Sequence, residues 1–526
     1  MNKSIRYILL GATAMTLFSC SDLENTNIDP NTAGNVPSNM IMEGAEKYTM
    51  DNIYDVWFSG RQCLPYSQQW TQRNYTEEDR YQIRETVNNN YFNYLYQAYA
   101  NFQKVIELNT DATSKGTNSA YGANDNQIAA AEIMQVWLMD IITDTWGNVP
   151  YSDIAKMESD NVMYCKYDSQ QDIYKALLDK LTDAVNRIDE SQPAFSAGDV
   201  IFGGDASKWK KFGNSLKCRL AIHLSKVDPN WKSYILEAVQ SGVMTSNSDA
   251  AKFTYSASGS DYCKFYEGWF VDGRNDFTIT RPLVDLLKGQ RDTLNNKQHP
   301  WEGTVDPRLQ IYTNPNADGE YIGIPYAAPT GTQDKFRATS PNWASGRPLV
   351  LSATYSVPLM TYAELKFILC EYNGYDKQDY EDGVRASLEY WYNLAGETLS
   401  SEDEEAYVAA VSKNVNAETC AIQKYLDLYT NGTEAWTEIR RTGYPEQLLR
   451  PGEITCIYNG NTVKFTPLSE THDDIIERVK YPTNESTLNG SNWTEAVSKL
   501  TDGTNNYYSK MYWDVRTSPY DHPADK

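Results

Sequence analysis

The sequence predicts a mainly α-helical chain: a scaffold of tetratricopeptide-like helical pairs that carries long irregular loop insertions and little β-structure. Three observations carry this expectation. Apolar residues recur at threes and fours along several stretches of helical length. The helices come in antiparallel-sized pairs, each roughly the 34 residues or more of a tetratricopeptide unit. The stretches at about 228–358 and 443–526 are rich in Gly, Pro, Asn, Thr and aromatic residues, as variable surface loops are.

The helices follow in chain order. From Tyr91, the residues Leu95, Ala98, Phe102, Val105 and Leu108 share one face. The run from Ala129 to Thr145 is apolar nearly all round, with Ile133, Trp137 and Ile141 on one stripe, which marks a buried core helix. Ser169, with Asp172 three residues on, reads as the cap of a helix through Ile173, Leu177, Leu181, Ala184 and Ile188. Its partner runs through Trp209, Phe212, Leu216, Leu220 and Leu224. A third pair starts at Thr361, where Glu364 completes a T-x-x-E capping box, and resumes after Asp379 with Val384, Leu388 and Trp391. A fourth covers Ile422, Tyr425 and Tyr429, stops at Asn431-Gly432, and restarts with Glu434, Trp436 and Ile439 before Gly443 and Pro445 end it.

The N-terminus sets the compartment. Lys3 and Arg6 precede the apolar run Ile8 to Phe18, which is too short to cross ~30 Å of hydrocarbon and so reads as a signal peptide. Leu17-Phe18-Ser19-Cys20 looks like a lipobox, with Phe18 bulkier than usual at its position. Residues 1–19 are therefore expected to be removed and Cys20 to be lipidated, with more than one acyl chain needed for stable anchoring. Residues 20–40, polar and acidic, read as a tether. No Pro-, Ser- or Gly-rich linker breaks the chain after that, so 41–526 is expected to be one domain.

Charge and cysteines narrow the partners. Removal of Lys3 and Arg6 leaves 45 of the 47 basic residues against 70 acidic ones, a net charge of −25. Such a body repels phosphate backbones and anionic headgroups, which argues against nucleic acid and peripheral membrane binding. Eight cysteines are too sparse for a disulfide scaffold. With Cys20 lipidated, seven remain without a CxxC pair and read mostly as small buried residues, a single disulfide staying open.

Catalytic patterns are few. His223, His299, His472 and His522 are scattered outside any metal spacing, and GxSxG, GxGxxG and P-loop motifs are missing. Carboxylate pairs suited to glycoside hydrolysis arise by chance among 70 acidic residues. Ser401-Glu402-Asp403-Glu404-Glu405 reads as a solvated helix start. Asn314 to Gly319 imitates half an EF-hand, but Pro325 at the twelfth position makes it a turn.

Aromatic residues are conspicuous: 39 Tyr against 14 Phe, with 13 Trp. A sugar presents C–H faces to a flat ring and hydroxyls to amides and carboxylates, so exposed Trp or Tyr beside Asn, Asp, Gln or Arg suits it. Three loop segments fit. The first holds Trp70, Gln72, Arg73, Asn74 and Tyr75 with Asp79-Arg80 behind; the second Tyr266, Trp269, Arg274, Asn275 and Asp276; the third Asn342, Trp343 and Arg347. The Gly-rich setting of the second leaves few neighbours to bury Trp269, whose replacement by Ala is expected to weaken binding without unfolding the chain.

Five stretches carry a family likeness: Thr143-Asp144-Thr145-Trp146-Gly147-Asn148-Val149-Pro150-Tyr151; Trp209-Lys210-Lys211-Phe212-Gly213-Asn214-Ser215-Leu216-Lys217-Cys218-Arg219-Leu220; Asp306-Pro307-Arg308; Met360-Thr361-Tyr362-Ala363-Glu364-Leu365; and Gly432 to Pro445 with Trp436, Arg440 and Arg441. With the lipobox, their order resembles the SusD/RagB family, surface lipoproteins of Bacteroidetes that capture nutrients. The resemblance implies a tetratricopeptide-like fold on the outer face of the outer membrane. It also implies a SusC-like TonB-dependent transporter as partner and, most often, an oligosaccharide ligand. Trp146-Gly147 and Asn431-Gly432 read as helix stops, and Arg440-Arg441 as carboxylate partners or carbonyl caps. The expectation is a glycan-binding lipoprotein without covalent chemistry or cofactor; a surface glycosidase, and a peptide-binding or adhesive surface protein, are the alternatives.

Overall fold

The computed structural model describes residues 36–156, 162–259, 261–346 and 348–526; the signal peptide, Cys20 and the stretch to residue 35 lie outside them. The first helix, α1 (Ser38–Ile53), starts inside the stretch read as tether. Its buried residues Met42, Ala45, Thr49, Met50 and Ile53 keep helical spacing but are small, sulfur-bearing or polar, so the stripe is faint in the sequence. The scaffold continues with α2 (Glu85–Thr110), α3 (Asn124–Trp146), α4 (Gln170–Arg187), α5 (Ala206–His223) and α6 (Trp231–Ser241), each packed on its predecessor. After the first long insertion come α7 (Tyr362–Tyr372), α8 (Lys377–Ala395), α9 (Ser401–Val411), α10 (Ala417–Asp427) and α11 (Gly432–Thr442). Here α7 packs on α8, α10 and α5, while α11 packs on α10 and closes back onto α3. The four pairs expected from periodicity are α2/α3, α4/α5, α7/α8 and α10/α11. Among the described residues no helix is long and apolar enough to cross a membrane, and the seven cysteines after Cys20 are free and buried.

The β-structure of the described residues is four two-stranded antiparallel ribbons. They are β1 (Trp70–Gln72) with β5 (Phe277–Ile279), β2 (Val149–Pro150) with β3 (Tyr167–Asp168), β4 (Ala251–Thr254) with β6 (Ser356–Met360), and β7 (Ile454–Tyr458) with β8 (Asn461–Lys464). The first of these ties the long insertion to the loop between α1 and α2, and the third ties the two ends of that insertion to each other.

Several local expectations hold. Ser169 Oγ accepts from the Asp172 amide at 3.1 Å, Gly147 ends α3 at φ +82°, and Ser400 Oγ caps the acidic start of α9. Two differ. Thr361 Oγ1 accepts from the Glu364 amide at 3.0 Å, but the Glu364 carboxylate turns to Arg219 at 2.6 and 2.7 Å, so the capping box closes on one side only. Asn431-Gly432 does not stop a helix, because α10 has ended at Asp427 and Gly432 opens α11. A Cβ on Gly432 would stand 2.8 Å from the backbone at Cys63 and Leu64, so the glycine lets two chain segments touch.

The seam of α3, α5, α7, α10 and α11 is ionic. His223 Nε2 lies 3.1 Å from Glu434 Oε1, and Tyr174 Oη lies 3.0 Å from His223 Nδ1 and donates to Asp144 at 2.8 Å. Lys424 and Arg441 meet Glu438 at 3.1 and 2.8 Å, and Arg441 also holds Glu371 at 2.7 Å. Arg440 donates to the Asp144 and Glu477 carbonyls at 2.9 and 2.7 Å. The arginine pair thus does both things expected of it, one residue for each. His223, isolated in the sequence, meets four carboxylates: Asp140, Asp144, Glu434 and Glu438. Arg219, Lys424 and Arg441 are the opposing charges.

Burial pushes the His223 pKa down, but Glu434, Asp140 and Asp144 outweigh it and raise the imidazole to about 8 from 6.5. A raised folded-state value means stability that is complete below about pH 6.5 and lost as pH rises through about 8, on the order of 2 kcal/mol. Denaturant unfolding near pH 6 and near pH 9 should show this loss in the wild type and a smaller one in His223→Gln; equal losses would remove His223 as the cause.

Candidate ligand-binding surface

The three aromatic segments come together. Residues of β1 pair with β5 in the register Trp70↔Ile279 and Gln72↔Phe277. The ribbon continues as the Arg73 amide donates to the Asp276 carbonyl and Asn74 Nδ2 to Asp276 Oδ1 at 3.0 Å. The third segment enters through Trp343, whose ring lies 5.4 Å from Trp70 and 5.5 Å from Trp269.

The indoles at this junction face inward, which corrects the expectation for Trp70, Trp269 and Trp343. Trp70 sits among Phe265, Phe277 and Trp343 and donates to Tyr429 Oη at 3.0 Å. Trp343 donates to Thr313 Oγ1 at 2.8 Å. Trp269 is only 5% exposed. The glycine beside it has the opposite effect from the one expected: a Cβ on Gly268 would come within 2.5 Å of Val56, so the missing side chain lets the loop press onto the chain after α1. Burying three large rings and satisfying two of their N–H groups stabilises more than exposing them would. Tyr266 is half-buried against Tyr262 and Phe270, and Asp276 is buried. Arg347 lies outside the described residues.

What reaches solvent is the rim of this aromatic base. Tyr75 is 49% exposed and Asn275 is exposed beside the half-exposed Arg274. The Arg274 guanidinium lies 4.8 Å from the ring centre of Trp57, and the buried Arg61 lies 5.1 Å from the same ring. Trp57 is 38% exposed and borders a cavity of about 380 Å³ with Asn52, Asp55, Arg84, Asn90 and Tyr94. The exposed Tyr94 ring meets Tyr48 edge-on at 6.3 Å. The rim therefore offers Trp57, Tyr94 and Tyr75 faces with Asn and Arg donors between them. Larger hollows, of about 820 Å³ beside Tyr321 and Gln310 and about 900 Å³ beside Lys115 and Gln192, touch none of the three segments.

Trp57 and Tyr94 were not singled out from the sequence. Trp57 stands just past α1, and without that helix nothing marked it as a residue at a helix end. Tyr94 lies on α2 one position from the buried Leu95, on the flank of the apolar stripe.

Carboxylates at the rim are engaged. Asp55 accepts from the Phe58 and Ser59 amides at 2.8 and 3.2 Å, and burial raises its pKa to about 6 against those bonds. Glu78 is held by Arg61 at 3.1 Å and Arg84 at 2.6 Å. Burial lifts Asp79 to about 7 although it accepts from Thr71 and the Gln72 amide. Glu78 and Asp79 hold the β1 loop in shape, and Asp55 the turn after α1.

With this geometry in place, comparison with known proteins is informative. The sequence matches a family model described as SusD-like, "Starch-binding associating with outer membrane", over residues 30–464. A search of curated proteins returned no match. Among solved structures, a SusD homologue from Parabacteroides distasonis is similar at 21% identity and TM-score 0.72, over 91% of this chain and 98% of its own. A chitin-binding SusD homologue from Flavobacterium johnsoniae is similar at 21% identity and TM-score 0.69, over 91% and 99%. A structure described as a chitin-binding protein matches at 24% identity and TM-score 0.69, over 90% and 100%.

The burial of Trp269 changes what its replacement should do. Trp269→Ala empties part of the aromatic base and is expected to cost about 3 to 5 kcal/mol of folding stability. Thermal and denaturant unfolding measure this; a loss below about 1 kcal/mol would return Trp269 to the surface.

Proposed function

The chain belongs to the SusD-like family, and from that premise we propose that it is a cell-surface lipoprotein which binds glycan and hands it to a SusC-like TonB-dependent transporter. In this reading Cys20 carries the lipid, the body faces outward from the outer membrane, and no bond in the ligand is broken. The observation that carries it is the rim itself: Trp57, Tyr94 and Tyr75 exposed over a base of buried tryptophans, with Asn52, Asn90, Asn275 and Arg274 among them. Flat rings take the C–H faces of sugars, and amides and guanidinia take hydroxyls.

The chemistry of the rim favours binding over hydrolysis. A glycosidase needs two carboxylates free to act across an open cleft, about 5 to 9.5 Å apart. Glu78 and Asp276 are both buried here, the first between two arginines and the second against Asn74. Delivery to a transporter rests on family membership and on the expected lipid anchor.

Calorimetry and affinity electrophoresis with chito- and malto-oligosaccharides test the binding site, the first set being suggested by the chitin-binding neighbours. Trp57→Ala should weaken binding by about 1 to 3 kcal/mol, the range for stacking a ring on an aromatic side chain, with the unfolding midpoint unchanged. Undiminished affinity in that variant would place the ligand elsewhere, and reducing ends released from a bound glycan would make the protein an enzyme.

A further inference from the structure

Arginines gather at this rim although the formal charge of the chain is −23. Arg73, Arg84 and Arg274 stand at it, Arg61 is buried beneath it, and Arg337 is close enough to Arg73 to act on its charge. The carboxylates that meet them are three. Glu78 serves Arg61 and Arg84. Asp276 lies 3.8 Å from both Arg61 and Arg274, a separation too long for a hydrogen bond. Asp334 lies 3.5 Å from Arg337, and both of their side chains are exposed to solvent.

Arg73 is the clearest case. Among the described residues it makes no ion pair; its Nη1 reaches only the Asn275 carbonyl, at 3.4 Å, and its buried Nε has no partner. Burial and the nearby Arg337 guanidinium lower its pKa, with Asp276 alone opposing them. The Arg73 guanidinium is thus held with a donor unspent, two residues along the chain from the exposed Tyr75. A buried donor without an acceptor is costly, so an anionic oxygen at this guanidinium would supply the acceptor that it lacks. Arg274 shows the same surplus, since its firmest contact is the π-face of Trp57.

Building on the glycan-binding reading above, we propose that the ligand is an acidic glycan whose anionic oxygens are taken by Arg73, Arg274 and Arg337 while its rings lie on Tyr75 and Trp57. Carboxylate and sulfate ester oxygens share this chemistry, and guanidinium suits both because its planar fork can donate two parallel bonds.

The test compares three glycans on the full mature chain at low and at high salt: neutral chito-oligosaccharide, oligogalacturonate for carboxylate and chondroitin sulfate for sulfate ester. Binding of one or both acidic glycans at least tenfold tighter than the neutral one, falling steeply with salt, is expected. Arg73→Gln with Arg337→Gln, and separately Arg274→Gln, should each lower the preference for acidic over neutral glycan several-fold, with the unfolding midpoint unchanged. Which acidic glycan responds identifies the group. Equal or tighter binding of the neutral glycan, or acidic binding indifferent to salt and to the arginines, overturns the inference while leaving the glycan reading standing. Failure to bind any of the three overturns both.

Discussion

Arg219 and Glu364 face each other from α5 and α7 with both side chains buried, joined by two bonds of 2.6 and 2.7 Å. Around that pair, Glu434, His223, Lys424, Glu438 and Arg441 continue the alternation of charge across α5, α10 and α11. A buried ion is tolerable only when its partner stands opposite, and removal of one member strands the other at a cost of about 3 to 5 kcal/mol. The network therefore fixes more than contact. Helices sliding by one turn would separate every pair at once, so α3, α5, α7, α10 and α11 have one register. Trp513, from the C-terminal segment, joins the same knot by donating to Asp144 at 3.0 Å. Residues far apart in sequence are thereby held together, with the 443–526 segment contributing Trp513 and the Glu477 carbonyl, and the first long insertion is left to serve the surface.

The rim proposed to bind glycan inherits this rigidity through a short segment. Gln69 Nε2 donates to the Leu428 carbonyl at 3.0 Å and its Oε1 accepts from the Thr430 amide at 2.8 Å; Gln68 does the same with Leu449, at 2.7 and 2.9 Å. Each glutamine side chain thus acts as a strand would, satisfying a donor and an acceptor of distant backbone. Trp70 follows with its bond to Tyr429, and Gly432 lets α11 lie against Cys63 and Leu64. By the time the chain reaches Arg73 and Tyr75 it has been fastened to the turn after α10 and paired with β5. Binding groups on such a loop are already ordered, which spares the entropy of fixing them when ligand arrives.

The helical body was legible because its signals are local. Ile133, Trp137 and Ile141 share a stripe whatever surrounds them, and Ser169 caps a helix with an amide three residues away. The ionic seam was not legible, since His223 finds its carboxylates 79 to 215 positions away, between Asp144 and Glu438, and no spacing rule spans such distances. At the rim, residue type was informative and orientation was not. Composition pointed to three segments that do converge, but Trp70, Trp269 and Trp343 are the residues with the most to gain from burial. Their neighbours Tyr75, Arg274 and Asn275 were left at the surface. Gly268 shows how a correct observation can mislead: a missing side chain signals openness only if nothing else moves in, and here Val56 does.

The occupied face of Trp57 decides what kind of ligand this rim can prefer. Arg274 rests 4.8 Å from the indole centre, a contact worth about 0.5 to 1 kcal/mol at a site open to water. A neutral sugar that stacks on that face displaces the guanidinium and returns to it only an ordinary hydrogen bond from a hydroxyl, itself worth about 1 kcal/mol; the exchange is close to even. A ligand carrying a carboxylate or sulfate gives the displaced guanidinium a charge-assisted bond, about 1.5 to 3 kcal/mol, in return for the same loss. The ring is then free for the sugar and the cation is better satisfied than before. The stacked arginine thus acts as a cover that an anionic sugar removes to its own advantage, and selectivity arises from what the ligand must displace as much as from what it touches.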